Sequence, residues 1–165
     1  MEEEDDSYYV YTSKSMYSIH TTKKTQREAQ NDCIRRGGNL ASVSSKEEND
    51  KLRVQFSEPF WIGLDDRQTE GTFRWVDGKK SNYKNWAGGE PNDWSNEDCV
   101  SVKKDGKWND LDCDSMAQYA CKYGGAKFAT QTLSSCESLP SDDGKYTVYI
   151  CEDNKDVKED GQGNN

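Results

Sequence analysis

The apolar residues of this chain fall into short clusters whose spacing changes along its length. Tyr8-Tyr9-Val10-Tyr11 and Met16-Tyr17-Ser18-Ile19 are rich in aromatic and β-branched residues and are parted by a few polar positions, which predicts two short strands. Thr25-x-x-Glu28 is a capping box, in which a Thr side chain accepts from the amide three residues on. Ala29, Cys33 and Ile34 follow at helical spacing, and Gly37-Gly38 closes that helix. Ser45-x-x-Glu48 repeats the device ahead of Leu52 and Phe56, so a second helix is expected, with Pro59 as its stop.

Beyond Pro59 the pattern shifts from helical to strand-like. Phe60-Trp61-Ile62-Gly63-Leu64 is an unbroken apolar run of strand length, Thr72-Phe73-Arg74-Trp75-Val76 alternates, and Asp77-Gly78 is a turn signal behind it. Residues 77–98 then hold Gly, Asn, Asp and Trp with few aliphatics. So long a loop in a small domain is functional, disordered or held by something outside the chain, and its aromatics argue against disorder. Cys99-Val100-Ser101-Val102, Lys107-Trp108 and Gln118-Tyr119-Ala120-Cys121 predict the closing strands. Gly124-Gly125 reads as a linker, and residues 146–151 predict one further strand, with Cys136 a candidate tether. The expected division is an acidic tail over 1–7, a domain over 8–123, and a C-terminal extension over 124–165. That extension should hold a disulfide-closed hairpin and an acidic, disordered end.

Composition narrows the class. With 32% hydrophobic residues and a mean hydropathy of -1.15, the core must be small, although five Trp and nine Tyr each bury a large area. The net charge of -9 is uneven: residues 7–125 carry eighteen Lys/Arg and eighteen Asp/Glu, so the acidic excess lies in the two ends. No basic stripe runs along the sequence, which argues against nucleic acid as a partner. The six cysteines include no C-x-x-C pair, and His20 is the sole histidine, read as a surface residue near a strand end. A zinc site therefore has little to draw on, whereas an even cysteine count in a small polar domain points to disulfides and a secreted, extracellular setting. The first twenty residues hold no signal peptide, and no apolar run approaches a membrane span. Asn-x-Ser/Thr sequons are absent, and Asp142-Asp143-Gly144 does not follow the EF-hand pattern.

The long loop gathers oxygen ligands. Glu90-Pro91-Asn92 is followed by Glu97, and Trp108 by Asn109-Asp110. Hard cations such as calcium take six to eight oxygens from carboxylates, amides and carbonyls. If the Glu90–Pro91 bond is cis, both flanking side chains can point to one side and share an ion. Carboxylates crowded into one loop repel each other, and a bound cation removes that cost.

Over residues 8–122 the chain resembles a C-type lectin carbohydrate-recognition domain. The pieces that carry the resemblance stand in order: Ala29-Gln30-Asn31-Asp32-Cys33, Gly37-Gly38-Asn39-Leu40-Ala41-Ser42-Val43, Trp61-Ile62-Gly63-Leu64, Glu70-Gly71-Thr72-Phe73-Arg74-Trp75, Glu90-Pro91-Asn92, Glu97-Asp98-Cys99-Val100, Trp108-Asn109-Asp110, Cys113 and Cys121. One departure is Gln26, where the family often has Trp. The resemblance implies an α+β double-loop fold, with two helices flanking small antiparallel sheets and a long calcium-stabilised loop. It implies the disulfides Cys33–Cys121 and Cys99–Cys113 of the family's short form, which leaves Cys136–Cys151 for the extension. It places a principal calcium on Glu90, Asn92, Glu97, Asn109 and Asp110, and an auxiliary ion on Asp66, Glu70, Asp93, Glu97 and Asp98.

In this family Glu-Pro-Asn accompanies mannose, fucose and N-acetylglucosamine, so glycan binding without catalysis is expected. Trp94 stands where galactose-type members place a stacking Trp, but only Ser95-Asn96 separate it from Glu97, and the bracing glycine-rich loop is missing. Trp61, Trp75, Trp86 and Trp108 read as packing residues. Calcium-ligating carboxylates are not free for acid–base work, and no nucleophile pair is evident, so the chain is not expected to be an enzyme. Alternatives are galactose binding aided by Trp94, or a domain of this type that binds protein or ice. Expected partners are glycans on cell surfaces or glycoproteins, without membrane insertion, and oligomers would raise avidity.

Overall fold

The computed structural model describes residues 7–12, 14–92, 97–124, 136–141, 144 and 146–150. The expectations attached to Asp93, Trp94, Cys151 and the two acidic ends lie outside them. Among the described residues ten strands and two helices follow in order: β1 (Tyr8–Tyr11), β2 (Met16–Lys24), α1 (Gln26–Arg35), β3 (Asn39–Leu40), α2 (Lys46–Arg53), β4 (Phe60–Asp65), β5 (Arg74–Trp75), β6 (Cys99–Val102), β7 (Trp108–Leu111), β8 (Ala117–Tyr123), β9 (Glu137–Pro140) and β10 (Thr147–Ile150).

Both helices start at their capping residues. The Thr25 hydroxyl accepts from the Glu28 amide at 3.2 Å, and the Ser45 hydroxyl accepts from the Glu48 amide at 3.1 Å. Helix α1 buries Gln26, Ala29, Asp32 and Cys33, whereas Ile34 is 56% exposed. The expected apolar stripe through Ile34 is thus replaced by one that includes two polar residues, and each is satisfied. Gln26 donates to Asp65 Oδ2 at 3.2 Å, and Asp32 accepts from the Tyr119 hydroxyl at 2.6 Å and from Arg36 at 2.9 Å.

The strands join in the order β7-β6-β4-β8-β2-β1-β10-β9, with β3 on β8 and β5 on β4. The small antiparallel sheets expected from the resemblance are therefore linked into one mixed sheet. Strand β8 lies between β2 and β4, antiparallel to the first and parallel to the second. Two core clusters form against it. One gathers Val10, Leu52, Phe60, Ile62, Val102 and Trp108 beside α2; the other gathers Ala29, Cys33, Trp61, Tyr119 and Cys121 beside α1. Cys33 is joined to Cys121 and Cys99 to Cys113, so one bridge ties α1 to β8 and the other ties β6 to the segment after β7.

Two further expectations need correction, and the extension carries two strands that join the sheet. His20 is buried, at 2% exposure, because all of residues 16–20 in β2 are covered; its ring stacks on Tyr119 at 4.5 Å and its Nε2 lies 2.6 Å from the Ser18 hydroxyl. The alternating segment at 72–76 pairs only through Arg74 and Trp75. The extension is part of the sheet, since β10 pairs with β1 through Tyr9–Tyr149, Val10–Val148 and Tyr11–Thr147, and β9 pairs with β10. Strand β9 was invisible in the sequence because Glu-Ser-Leu-Pro has no strand pattern; all four residues are exposed at a sheet edge, where Pro is tolerated. Cys136, just before β9, is itself disulfide-bonded.

Candidate metal and saccharide site

Strand β7 carries Asn109 and Asp110, and Trp108 fixes its position. The Trp108 indole is fully buried and meets Trp75, Tyr83 and Trp86 edge to face at 5.6 to 5.8 Å. Its Nε1 donates to Asn49 Oδ1 of α2 at 2.8 Å. The Asn49 and Asn85 amides both donate to the Gly106 carbonyl, at 2.8 and 2.6 Å. Trp108 N donates to Asn85 O, and Ala87 N to Trp108 O, each at 2.8 Å. A helix, a loop and a hairpin are thereby locked around one residue, and its two successors are held in register. The sequence reading missed Asn49. The available signal was an Asn at a core-facing helical position, three residues before Leu52.

The Glu90–Pro91 peptide is cis. Asn92 Nδ2 donates to Glu90 Oε1 at 2.8 Å, and Asn92 N donates to Asp110 Oδ1 at 3.1 Å. With its amide nitrogen turned toward Glu90, Asn109 donates to Oε2 at 2.8 Å. Asp110 is fully buried. The Asp110 carboxyl against it, its partial burial and the Glu97 charge together push Glu90 up from 4.5 to about 7. Glu90, Asn92, Asn109 and Asp110 thus meet in one constellation, with Glu97 close enough for its charge to be felt.

A second acidic group lies beside it. One ligand oxygen from each of Asp66, Glu70 and Asp98 falls within 4.8 Å of the others. Asp66 N donates to Asp98 O at 3.0 Å, and Gly71 N to Asp66 Oδ2 at 2.9 Å, so a turn and the start of β6 hold the group together. Asp98 Oδ1 is buried and accepts no hydrogen bond. A buried carboxylate oxygen without a donor is costly. That orphan, the crowding at Glu90 and the all-oxygen donor set fit hard divalent cations.

A family model described as the lectin C-type domain matches residues 22–123. The chain belongs to the C-type lectin family. Members of this family are carbohydrate-binding proteins without enzymatic activity, and the chain is not an enzyme. It is 38% identical over 124 residues to C-type lectin domain family 4 member F of Mus musculus, covering 69% of this chain and 22% of that protein. It is 33% identical over 129 residues to the alpha-N-acetylgalactosamine-specific lectin of Patiria pectinifera, covering 69% of this chain and 77% of that lectin. Mannose-binding protein of Gallus gallus is 45% identical over 83 residues, 49% of this chain and 33% of that protein. The chain therefore spans about a fifth to a third of two of these relatives.

The fold recurs in the cow C-type carbohydrate-recognition domain of CD23, crystallised with GlcNAc2Man3 oligosaccharide. Its TM-score is 0.69 at 34% identity, covering 76% of this chain and 98% of that one. It recurs too in a calcium-independent type II antifreeze protein, with a TM-score of 0.68 at 26% identity, covering 70% and 91%.

Proposed function

We propose that this C-type lectin domain binds terminal saccharides of the mannose, fucose and N-acetylglucosamine type in a calcium-dependent manner. The observation that carries the reading is the constellation of Glu90, Asn92, Asn109 and Asp110, in which Glu90 is pushed up to about 7 by Asp110 and Glu97. Those four residues and Glu97 would hold the principal ion, and Asp66, Glu70, Asp93, Glu97 and Asp98 an auxiliary one. When bound, calcium supplies coordination positions that two neighbouring pyranose hydroxyls can take.

The side chains then select the diol. Ionised Glu90 and Glu97 only accept hydrogen bonds, while the Asn92 and Asn109 amides donate them. Each hydroxyl donates to a carboxylate and accepts from an amide, so the order of acceptors and donors fixes which hydroxyl geometry fits. On this reading the order of Glu90, Asn92, Glu97 and Asn109 would select equatorial 3- and 4-hydroxyls. A single shallow contact of this kind is weak, so an extracellular setting and an oligomer that raises avidity fit the reading.

Retention on immobilised mannose in calcium, release by chelator and weaker retention on galactose are the expected results. The double substitution Glu90→Gln with Asn92→Asp exchanges an acceptor and a donor at constant charge, and should turn preference toward galactose. If wild type prefers galactose and Trp94→Ala abolishes that, stacking governs selectivity and the mannose assignment is wrong. A second reading, ice binding, is favoured by the likeness to the antifreeze protein. Thermal hysteresis persisting in chelator, with no sugar retention, would select it.

A further inference from the structure

The disulfides differ in what surrounds them. Cys33 and Cys121 are both fully buried in the core beside α1 and β8. Cys99 is equally buried, but its partner Cys113 is only half-buried and borders an open cavity of about 650 Å³. Thr25 and Arg27 at the start of α1 line that cavity together with Arg67, Asp112 and Asp114. The Gln26 amide donates to the Cys113 carbonyl at 3.2 Å, and Arg67 Nε donates to the Cys113 sulfur at 3.4 Å. Four carboxylates and two guanidinium groups line the cavity, so it is acidic on balance, while the group in contact with the sulfur is a cation.

This bridge closes the open end of the β6–β7 hairpin, just past the rung that pairs Cys99 with Leu111. Glu97 and Asp98 stand directly ahead of Cys99, and Asn109 and Asp110 lie three and four residues before Cys113. The bridge therefore ties together the two segments that supply most of the proposed calcium ligands. The hairpin itself does not depend on it. Four rungs, from Cys99–Leu111 to Val102–Trp108, and the Trp108–Asn49 hydrogen bond hold β6 and β7 in place without the sulfurs.

We propose that Cys99–Cys113 is a site of reductive cleavage, at which a dithiol without net negative charge weakens the calcium site and leaves the domain folded. This rests on the calcium reading above. A thiolate of the dithiol attacks Cys113 Sγ, the sulfur that the cavity exposes. The S–S bond breaks, and its electron pair goes to Cys99, which takes a proton. The second thiol of the reagent then attacks the reagent sulfur of the mixed disulfide and expels Cys113 as a thiolate beside Arg67, where a cation stabilises it. Two electrons and two protons pass from the dithiol to the protein, leaving two protein thiols and the oxidised reagent. The acidic lining repels an anionic monothiol such as glutathione, which sets the charge of the reductant.

The test treats the full chain with dithiothreitol, an uncharged dithiol, and in parallel with glutathione at equal thiol concentration. Alkylation at intervals followed by peptide mapping reads which cysteines open. Calorimetry reads calcium affinity, and circular dichroism reads the fold. Cys99 and Cys113 should be alkylated together, about tenfold faster than Cys33 and Cys121, because exchange requires access to a sulfur. Calcium affinity should then fall about tenfold, the scale of loss when support around a metal site is removed, with dichroism unchanged. Arg67→Gln should slow cleavage about threefold, the worth of one exposed charge contact, and leave the calcium affinity of the oxidised protein as in wild type. The Cys99→Ser, Cys113→Ser double variant should bind calcium as weakly as the reduced protein and ignore the dithiol. Should that variant not fold, the maps and the Arg67→Gln rates decide alone. Early opening of Cys33–Cys121, unchanged calcium affinity after Cys113 opens, or a loss of affinity that tracks Cys136 instead would each overturn the proposal. So would a wild-type rate in Arg67→Gln or faster cleavage by glutathione. Oxidised wild type that binds no calcium would bring down the metal reading itself, and this inference with it.

Discussion

Removing one carboxylate from the crowded loop should stabilise the metal-free protein while sharply weakening its response to calcium. The perturbation is Glu90→Gln. It preserves shape and one acceptor oxygen, and it deletes the charge that faces Asp110 and Glu97. A carboxyl whose folded pKa exceeds its unfolded value binds extra protons in the folded state, so stability falls as pH rises between the two values. For Glu90 those values are 4.5 and about 7. The cost is absent below the first and complete above the second. Unscreened, such a shift would correspond to roughly 3 kcal/mol, but Glu90 is only partly buried, and solvent screening brings the figure to about 1 kcal/mol.

In chelator, wild type should therefore lose about 1 kcal/mol from pH 4.5 to pH 7.5, or about 3 °C in melting temperature. Glu90→Gln should show a flat profile over that range and melt higher than wild type at pH 7.5. Saturating calcium should raise the wild-type midpoint by mass action, with a much smaller rise for the variant. Thermal melts at matched ionic strength, with and without chelator, measure all of this. If Glu90→Gln melts at or below wild type at pH 7.5 in chelator, or keeps the wild-type slope, then crowding at Glu90 is not what the loop stores.

Asp32 gives the opposite sign and a separate window. Burial pushes it up, but the Tyr119 hydroxyl and the Arg36 cation outweigh that and hold it down at about 2 against a usual 3.8. Its contribution, about 2 kcal/mol, is complete above pH 3.8 and fades as pH falls through 2. Urea unfolding at pH 6 and pH 2 should show Asp32→Asn destabilised at the first and close to wild type at the second. Asn49→Ala leaves the buried Trp108 indole N–H without its acceptor, while the Gly106 carbonyl keeps only Asn85. It should cost about 1 to 3 kcal/mol in denaturant and weaken calcium affinity, because β7 carries two of the proposed ligands; unchanged calcium titration would separate Trp108 anchoring from the site.

Much of this protein is local and was legible as such. A capping box specifies where a helix starts because its hydrogen bonds close within three residues, as at Thr25–Glu28 and Ser45–Glu48. The candidate ligands sit in three-residue motifs, Glu90-Pro91-Asn92 and Trp108-Asn109-Asp110, so residue type and spacing alone marked them. What the sequence withheld depends on residues far apart in the chain. His20 is inside because both faces of β2 are covered, which no alternation pattern within β2 reveals. Ile34 is outside because the buried stripe of α1 runs through Asp32, whose partner Tyr119 is 87 residues away. Asn49 meets Trp108 and Gly106 across 59 and 57 residues. The C-terminal hairpin found its place only because β1 offered an unpaired edge. Charge behaves likewise: Coulomb energy depends on distance through space, so Asp110 could raise Glu90 only after the chain had folded.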